Sequence, residues 1–147
     1  MLTKIALGTR FAISTRAGRL MKTSVLRVST VQASALLAGD IEAAQEQELL
    51  QSGQVQPVDW LLVPHHGSAT SSTAEFLQAV QPRVAMVQAG YRNRFGHPKP
   101  DVLQRYADLG MLVVQTPLCG ASIWRSDAPK LVQCERNQRQ RYWQHVF

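Results

Sequence analysis

The chain has 147 residues, of which 45% are hydrophobic. That is enough for one folded domain with its own core, and it excludes wholesale disorder. No apolar run approaches the roughly 18 residues that a membrane span requires, so these residues alone are not expected to cross a bilayer. The net charge of +6 is concentrated at the two ends. Residues 1–39 hold Lys4, Arg10, Arg16, Arg19, Lys22 and Arg27 with no acid before Asp40, and Arg136, Arg139 and Arg141 lie near the other end. This distribution suits a polyanionic partner, either nucleic acid or an anionic membrane surface, and equally a plain solvated basic surface.

In chain order, Leu7–Thr15 reads as a strand because β-branched and aromatic residues stand between turn formers. That reading competes with an Arg- and Ser-containing transit segment. A secretory signal is excluded, because no apolar core follows the first charge. Gly18 and Arg19 mark a turn. Thr23–Ser29 and Ala33–Gly39 are strands, set to pair as a hairpin around Thr30-Val31-Gln32. Asp40 can cap a helix that runs to a stop at Gly53, with acids in its first turns.

"VDWLLVP" (58–64) is apolar on consecutive positions, the pattern of a buried parallel strand. "TSSTAEFLQAVQP" (70–82) follows as a helix. Ser71 or Ser72 is its candidate cap, Glu75 stands at capping-box spacing from Ser72, and Pro82 ends it. "RVAMVQAG" (83–90) is the next buried strand, and "YRNRFGHPKP" (91–100) is a loop. A helix starts at Pro100, shows Val102, Leu103, Tyr106 and Leu109 on one face, and stops at Gly110. "MLVVQT" (111–116) is another strand, and residues 119–136 read as a hairpin turning near Ser126–Pro129. Strand and helix alternate from Val58 to Thr116, so the fold class is α/β with helices layered on the sheet.

Asp40, the pair His65-His66, and His97 all stand at strand exits. In open α/β sheets the crevice beyond the carboxyl ends of the strands is where ligands bind. A carboxylate and imidazoles are hard-to-borderline donors suited to Zn, Mn or Fe. Each also has an ordinary structural explanation: Asp40 as a helix cap, His97 as a turn residue before Pro98. Gly67 permits a tight turn, and Ser68, Thr70 and Ser71 offer hydroxyls at a helix start that favours phosphate or substrate anions. Asp40, His65 and His66 are the candidate catalytic residues. These three and His97 are the candidate metal ligands.

The ordered pieces "GDIE" (39–42), "HHGSATSS" (65–72) and "NRFGHPKP" (93–100) together resemble the C-terminal metallo-β-lactamase-like domain of the ComEC competence family, bacterial DNA-uptake channel proteins of the inner membrane. The resemblance runs from about Gly8 to Phe147, with Arg141-Tyr142-Trp143 also similar to some members. It implies an αββα hydrolase sandwich built on two metals, Zn or Mn, that degrades the DNA strand not transported. In that frame Asp40 looks like the metal-bridging carboxylate. One of His65 and His66 looks like a ligand or base, and His97 falls where a later metal histidine could stand.

The departures from the family pattern are specific. The H-x-H-x-D-H ligand motif is absent, and Met21-Lys22-Thr23 stands where the family has an Asn before "SVLRV". Thr116-Pro117-Leu118-Cys119-Gly120 replaces the family's T-D-x-D-G. The expectation is therefore the second half of the domain, a mixed sheet with helices on one side, forming a single partial domain over 1–147 with a terminal hairpin and basic tail over 117–147. Such a half is expected to bind metal weakly or not at all and to be inactive alone. Expected partners are single-stranded DNA in the parent protein, the missing N-terminal half, or a second copy through uncovered sheet surface. The channel domain is not expected among these residues. The resemblance places the parent in the inner membrane with this domain outside the cytoplasm. The alternative function is a non-catalytic basic module that binds DNA or pairs with a separate N-terminal half. Cys119 and Cys134 fall on the two arms of the expected hairpin, either bridged in an oxidising compartment or as two reduced thiols.

Overall fold

The computed structural model describes residues 25–139 and, as backbone, residues 3–6 and 12–16. In chain order the strands and helices are β1 Thr3–Ala6, β2 Ala12–Arg16, β3 Val25–Ser29, β4 Ser34–Leu37, α1 Ala43–Gln51, β5 Trp60–Leu62, α2 Ala74–Val80, β6 Val84–Val87, α3 Pro100–Asp108, β7 Leu112–Gln115, α4 Thr116–Cys119, β8 Ser122–Arg125, β9 Val132–Cys134 and α5 Glu135–Gln138. A 3-10 turn, Pro64–Gly67, follows β5.

Six strands form one mixed sheet in the order β2-β3-β4-β5-β6-β7. β2, β3 and β4 are antiparallel neighbours, and β4 through β7 run parallel. The β3–β4 hairpin turns at 30–33, where the Thr30 hydroxyl accepts from the backbone N–H of Gln32 and Ala33. The parallel strands alternate their buried residues between two cores, as a period of two requires. Leu61, Ala85 and Val87 face the helices with Phe76, Leu77, Val80, Val102 and Tyr106. Trp60, Val84 and Met86 face the opposite side, where they meet Trp124 of β8. The Trp60 and Trp124 rings lie 6.1 Å apart.

β1, β8 and β9 make a second, three-stranded sheet. Helices therefore cover one face of the main sheet, and the chain's own second sheet covers part of the other. The α/β class with a mixed sheet and helices is as the sequence reads. Among the described residues no helix is long and apolar enough to cross a membrane.

Several boundaries differ from the sequence reading. The strand expected over Leu7–Thr15 is present from Ala12 as β2, and a further strand that was not expected, β1, belongs to the other sheet. Residues 7–11, the turn at Gly18 and Arg19, and the tail from 140 onward, with Arg141, Tyr142, Trp143 and His145, lie outside the described residues. Asp40 is not the cap of α1. That helix starts at Ala43 behind Glu42, whose N–H is taken by the Gln45 side chain at 3.0 Å. Neither Ser71 nor Ser72 caps α2. Thr73 does so, accepting from Phe76 N at 3.3 Å. Leu109 leaves the apolar face of α3 and is 41% exposed, because the helix has ended at Asp108.

The terminal hairpin pairs β8 with β9 as expected, with Ser122 opposite Cys134. Cys119 is not on an arm of it. It lies in the short helix α4, which the sequence reading missed, and from there it forms a disulfide with Cys134, Cα to Cα 4.7 Å.

Candidate functional site

The candidate residues gather at the carboxyl ends of β4, β5 and β6. Gly39, with φ of +60°, turns the chain out of β4. Ile41 then drops into the core, and Asp40 stays exposed at the rim. After β5 three successive residues take left-handed backbone: His65 (φ 47°), His66 (φ 57°) and Gly67 (φ 83°). For a histidine this conformation is uncommon and costs about 1–3 kcal/mol, so the surroundings must enforce it. They do so by backbone bonds. His65 N donates to Gly39 O at 3.0 Å, Ser68 N donates to His65 O at 2.9 Å, and Lys99 N donates to Gly67 O at 2.9 Å.

Gly67 is required by close approach as well as by φ. A Cβ there would lie 2.6 Å from Pro98 Cβ. The turn after β5 and the loop after β6 are therefore seated against each other, and that contact brings His97 alongside the histidine pair.

The His65 and His97 ring centroids are 6.1 Å apart, and those of His65 and His66 are 6.5 Å apart. His66 is oriented through Nδ1, which lies 2.7 Å from Gln88 O, and its Nε2 lies 3.6 Å from Asp40 Oδ1. His65 Nδ1 lies 3.1 Å from Glu42 Oε1 without the alignment of a hydrogen bond. Glu42 also accepts from the Thr70 hydroxyl at 3.0 Å. His97 Nδ1 is buried without a hydrogen-bond partner. Burial, together with the nearby Lys99, His65 and His66, holds the His97 pKa below the ordinary histidine value.

Of the other sequence candidates, Ser68 and Thr70 face each other through their hydroxyls at 3.1 Å. Ser71 is fully buried, and its hydroxyl donates inward to Pro64 O and Ser68 O. Sequence reasoning missed four supporting residues. Glu42 reaches His65 and Thr70, and Gln88 offers its carbonyl to His66. Asn93 clamps the second loop: its side chain donates to Gly90 O and His97 O and accepts from His97 N. Glu46 is fully buried, and its carboxylate accepts from Ser72 N at 2.6 Å and Thr73 N at 2.8 Å. Asn93 had a visible signal, since it opens the "NRFGHPKP" piece.

Asp40, His65, His66 and His97 have the donor chemistry of a metal site, and two imidazole Nδ1 atoms are buried without hydrogen bonds. Yet among the described residues no three His, Cys, Asp or Glu side chains are grouped so as to hold an ion. As they stand, His66 faces Asp40 and His65 faces Glu42, while His97 Nδ1 has no hydrogen-bond partner. The set would hold a metal firmly only with further ligands, and no hydrolytic step follows from these residues alone.

No protein-family model matches the chain. It is 38% identical over 101 residues to ComE operon protein 3 of Bacillus subtilis (strain 168), which covers 69% of this chain and 13% of the relative. It is 38% identical over 101 residues to Competence protein ComA of Neisseria gonorrhoeae, covering 68% and 15%. It is 34% identical over 96 residues to Recombination protein 2 of Haemophilus influenzae (strain ATCC 51907 / DSM 11121 / KW20 / Rd), covering 65% and 12%. The chain thus spans about one seventh or less of the length of these relatives. Their names point to a competence and DNA-uptake family, and the chain's similarity to them is consistent with that family.

Proposed function

We propose that this chain forms one part of a metal-dependent phosphodiester-hydrolysing domain of a DNA-uptake protein, a metallo-β-lactamase-like domain completed by ligands from elsewhere. The supporting observation is the convergence of Asp40, His65, His66 and His97 on one crevice at the ends of three parallel strands, held there by strained backbone. Alone, the chain supplies too few donors to complete a site and is inactive as a nuclease. The Cys119–Cys134 disulfide supports placement of this domain outside the cytoplasm, since such bonds persist in oxidising compartments. A second reading, a basic module that binds DNA without cleaving it, is favoured by the carboxylate–imidazole pairs, His66 with Asp40 and His65 with Glu42, which need no ion.

Titration of the purified chain with Zn and Mn, beside an Asp40→Ala/His65→Ala variant, separates the two readings. Weak metal binding by the wild type, lost in the variant, is the result expected of the incomplete hydrolase. Equal, negligible binding by both would leave the DNA-binding module.

A further inference from the structure

The loop after β6 carries a feature the crevice chemistry does not use. Phe95 is 58% exposed and Tyr91 is 40% exposed. Each has an arginine over its ring: Arg94 Cζ lies 4.7 Å from the Phe95 centroid, and Arg92 Cζ lies 5.3 Å from the Tyr91 centroid. Two exposed aromatics and two guanidinium groups thus share five consecutive residues.

The loop is also held rigid. Asn93 closes it from within, and Lys99 Nζ donates to Phe95 O at 2.8 Å. Phe95 stacks on His97, with centroids 5.9 Å apart and planes 14° apart. Beneath them lies a cavity of about 240 Å³, lined by His66, Gln88, Ala89, Gly90, Asn93, Phe95 and His97. That is below the roughly 300–1,000 Å³ of pockets for drug-sized ligands, and suits a single planar ring system.

Flat apolar walls, ring faces and cations at the rim are what a single polynucleotide strand recognises. Bases stack on aromatic rings and on guanidinium planes, and the same cations attract the phosphates. A duplex keeps its bases stacked inside and offers none to the cavity. We propose that Phe95 and the cavity below it form a stacking subsite for one base of a single strand, with Arg92, Arg94 and Tyr91 holding the neighbouring nucleotides. The proposal rests on the DNA reading given above and adds where the strand lies: across the 90–99 loop, with the base beside His66 and His97.

The test is fluorescence anisotropy of the full chain with a labelled short oligothymidylate in low-salt buffer. An abasic strand of the same length and charge is measured in parallel. Stacking on one aromatic is worth about tenfold in affinity. Phe95→Ala and Phe95→Leu should each weaken oligothymidylate binding by about that factor, Phe95→Trp should restore it, and none should change binding of the abasic strand. Circular dichroism of each variant checks that the fold is kept. Unchanged oligothymidylate binding in Phe95→Ala, or equal loss for the abasic strand, would overturn the subsite while leaving the DNA reading standing. A wild-type chain that binds neither strand would overturn both.

Discussion

His65, His66 and Gly67 are three left-handed residues in a row, and the last of them sits on Pro98. A Gly67→Ala chain must accept both a positive φ and a sub-contact approach of 2.6 Å. The expected loss is about 2–4 kcal/mol, read as a lowered midpoint in urea denaturation, because φ strain and steric displacement add. A midpoint equal to the wild type would mean that the two loops are not seated on each other. At this scale the sequence was only half informative. The pair His65-His66 at the exit of an apolar strand, and the glycine after it, stood out as residue types. What each imidazole faces did not, because Glu42, Gln88 and Asn93 come from other elements. Asp40 was ambiguous between cap and site, and the start of α1 three residues later leaves its carboxylate free of capping.

Among the elements, the apolar runs bounded by Pro and Gly were legible. β5, β6, β7 and α3 fall inside the stretches their patterns mark, since the buried strands β5 and β6 and the one-sided helix leave strong apolar signals, and the edge strand β7 still carries a short apolar run. The start of α2 was not legible. A local capping box at Ser72 and Glu75 was the natural reading, yet the N–H groups of Ser72 and Thr73 go to Glu46, 26 and 27 residues earlier. Ser72 instead pairs with Tyr106 at 3.0 Å, and Arg105 donates to the carbonyls of Ser71 and Ser72. One buried carboxylate thus ties α1 to the segment that follows the histidines. Glu46→Ala strips the Ser72 and Thr73 N–H groups of their carboxylate acceptor and should cost about 3 kcal/mol by chemical denaturation. Glu46→Gln, which keeps one acceptor oxygen, should cost about half as much. Equal stability of all three chains would mean that water replaces the carboxylate.

For the molecule as a whole, composition and alternation identified an α/β fold with helices on one face, and basic ends. They did not reveal that the other face is partly covered by the chain's own small sheet, because β1, β8 and β9 are short and far apart in sequence. Nor did they show that Cys119 reaches Cys134 from a short helix. The disulfide closes a separation of 15 residues. For a loop of that length, reduction should lower stability by about 2–4 kcal/mol. Thermal melts with and without reductant, beside a Cys119→Ser/Cys134→Ser chain, check this. Identical melts would show that the bond adds nothing to the native state.

The same bond has a practical consequence for anyone handling the protein. Since the bond tethers β9 to α4, material made in a reducing host and material made in an oxidising host are expected to differ in how firmly Trp124 is kept over Trp60. Protease susceptibility of the 126–131 turn would tell the two preparations apart, and a Phe95 affinity measured on one should not be carried to the other until that has been done.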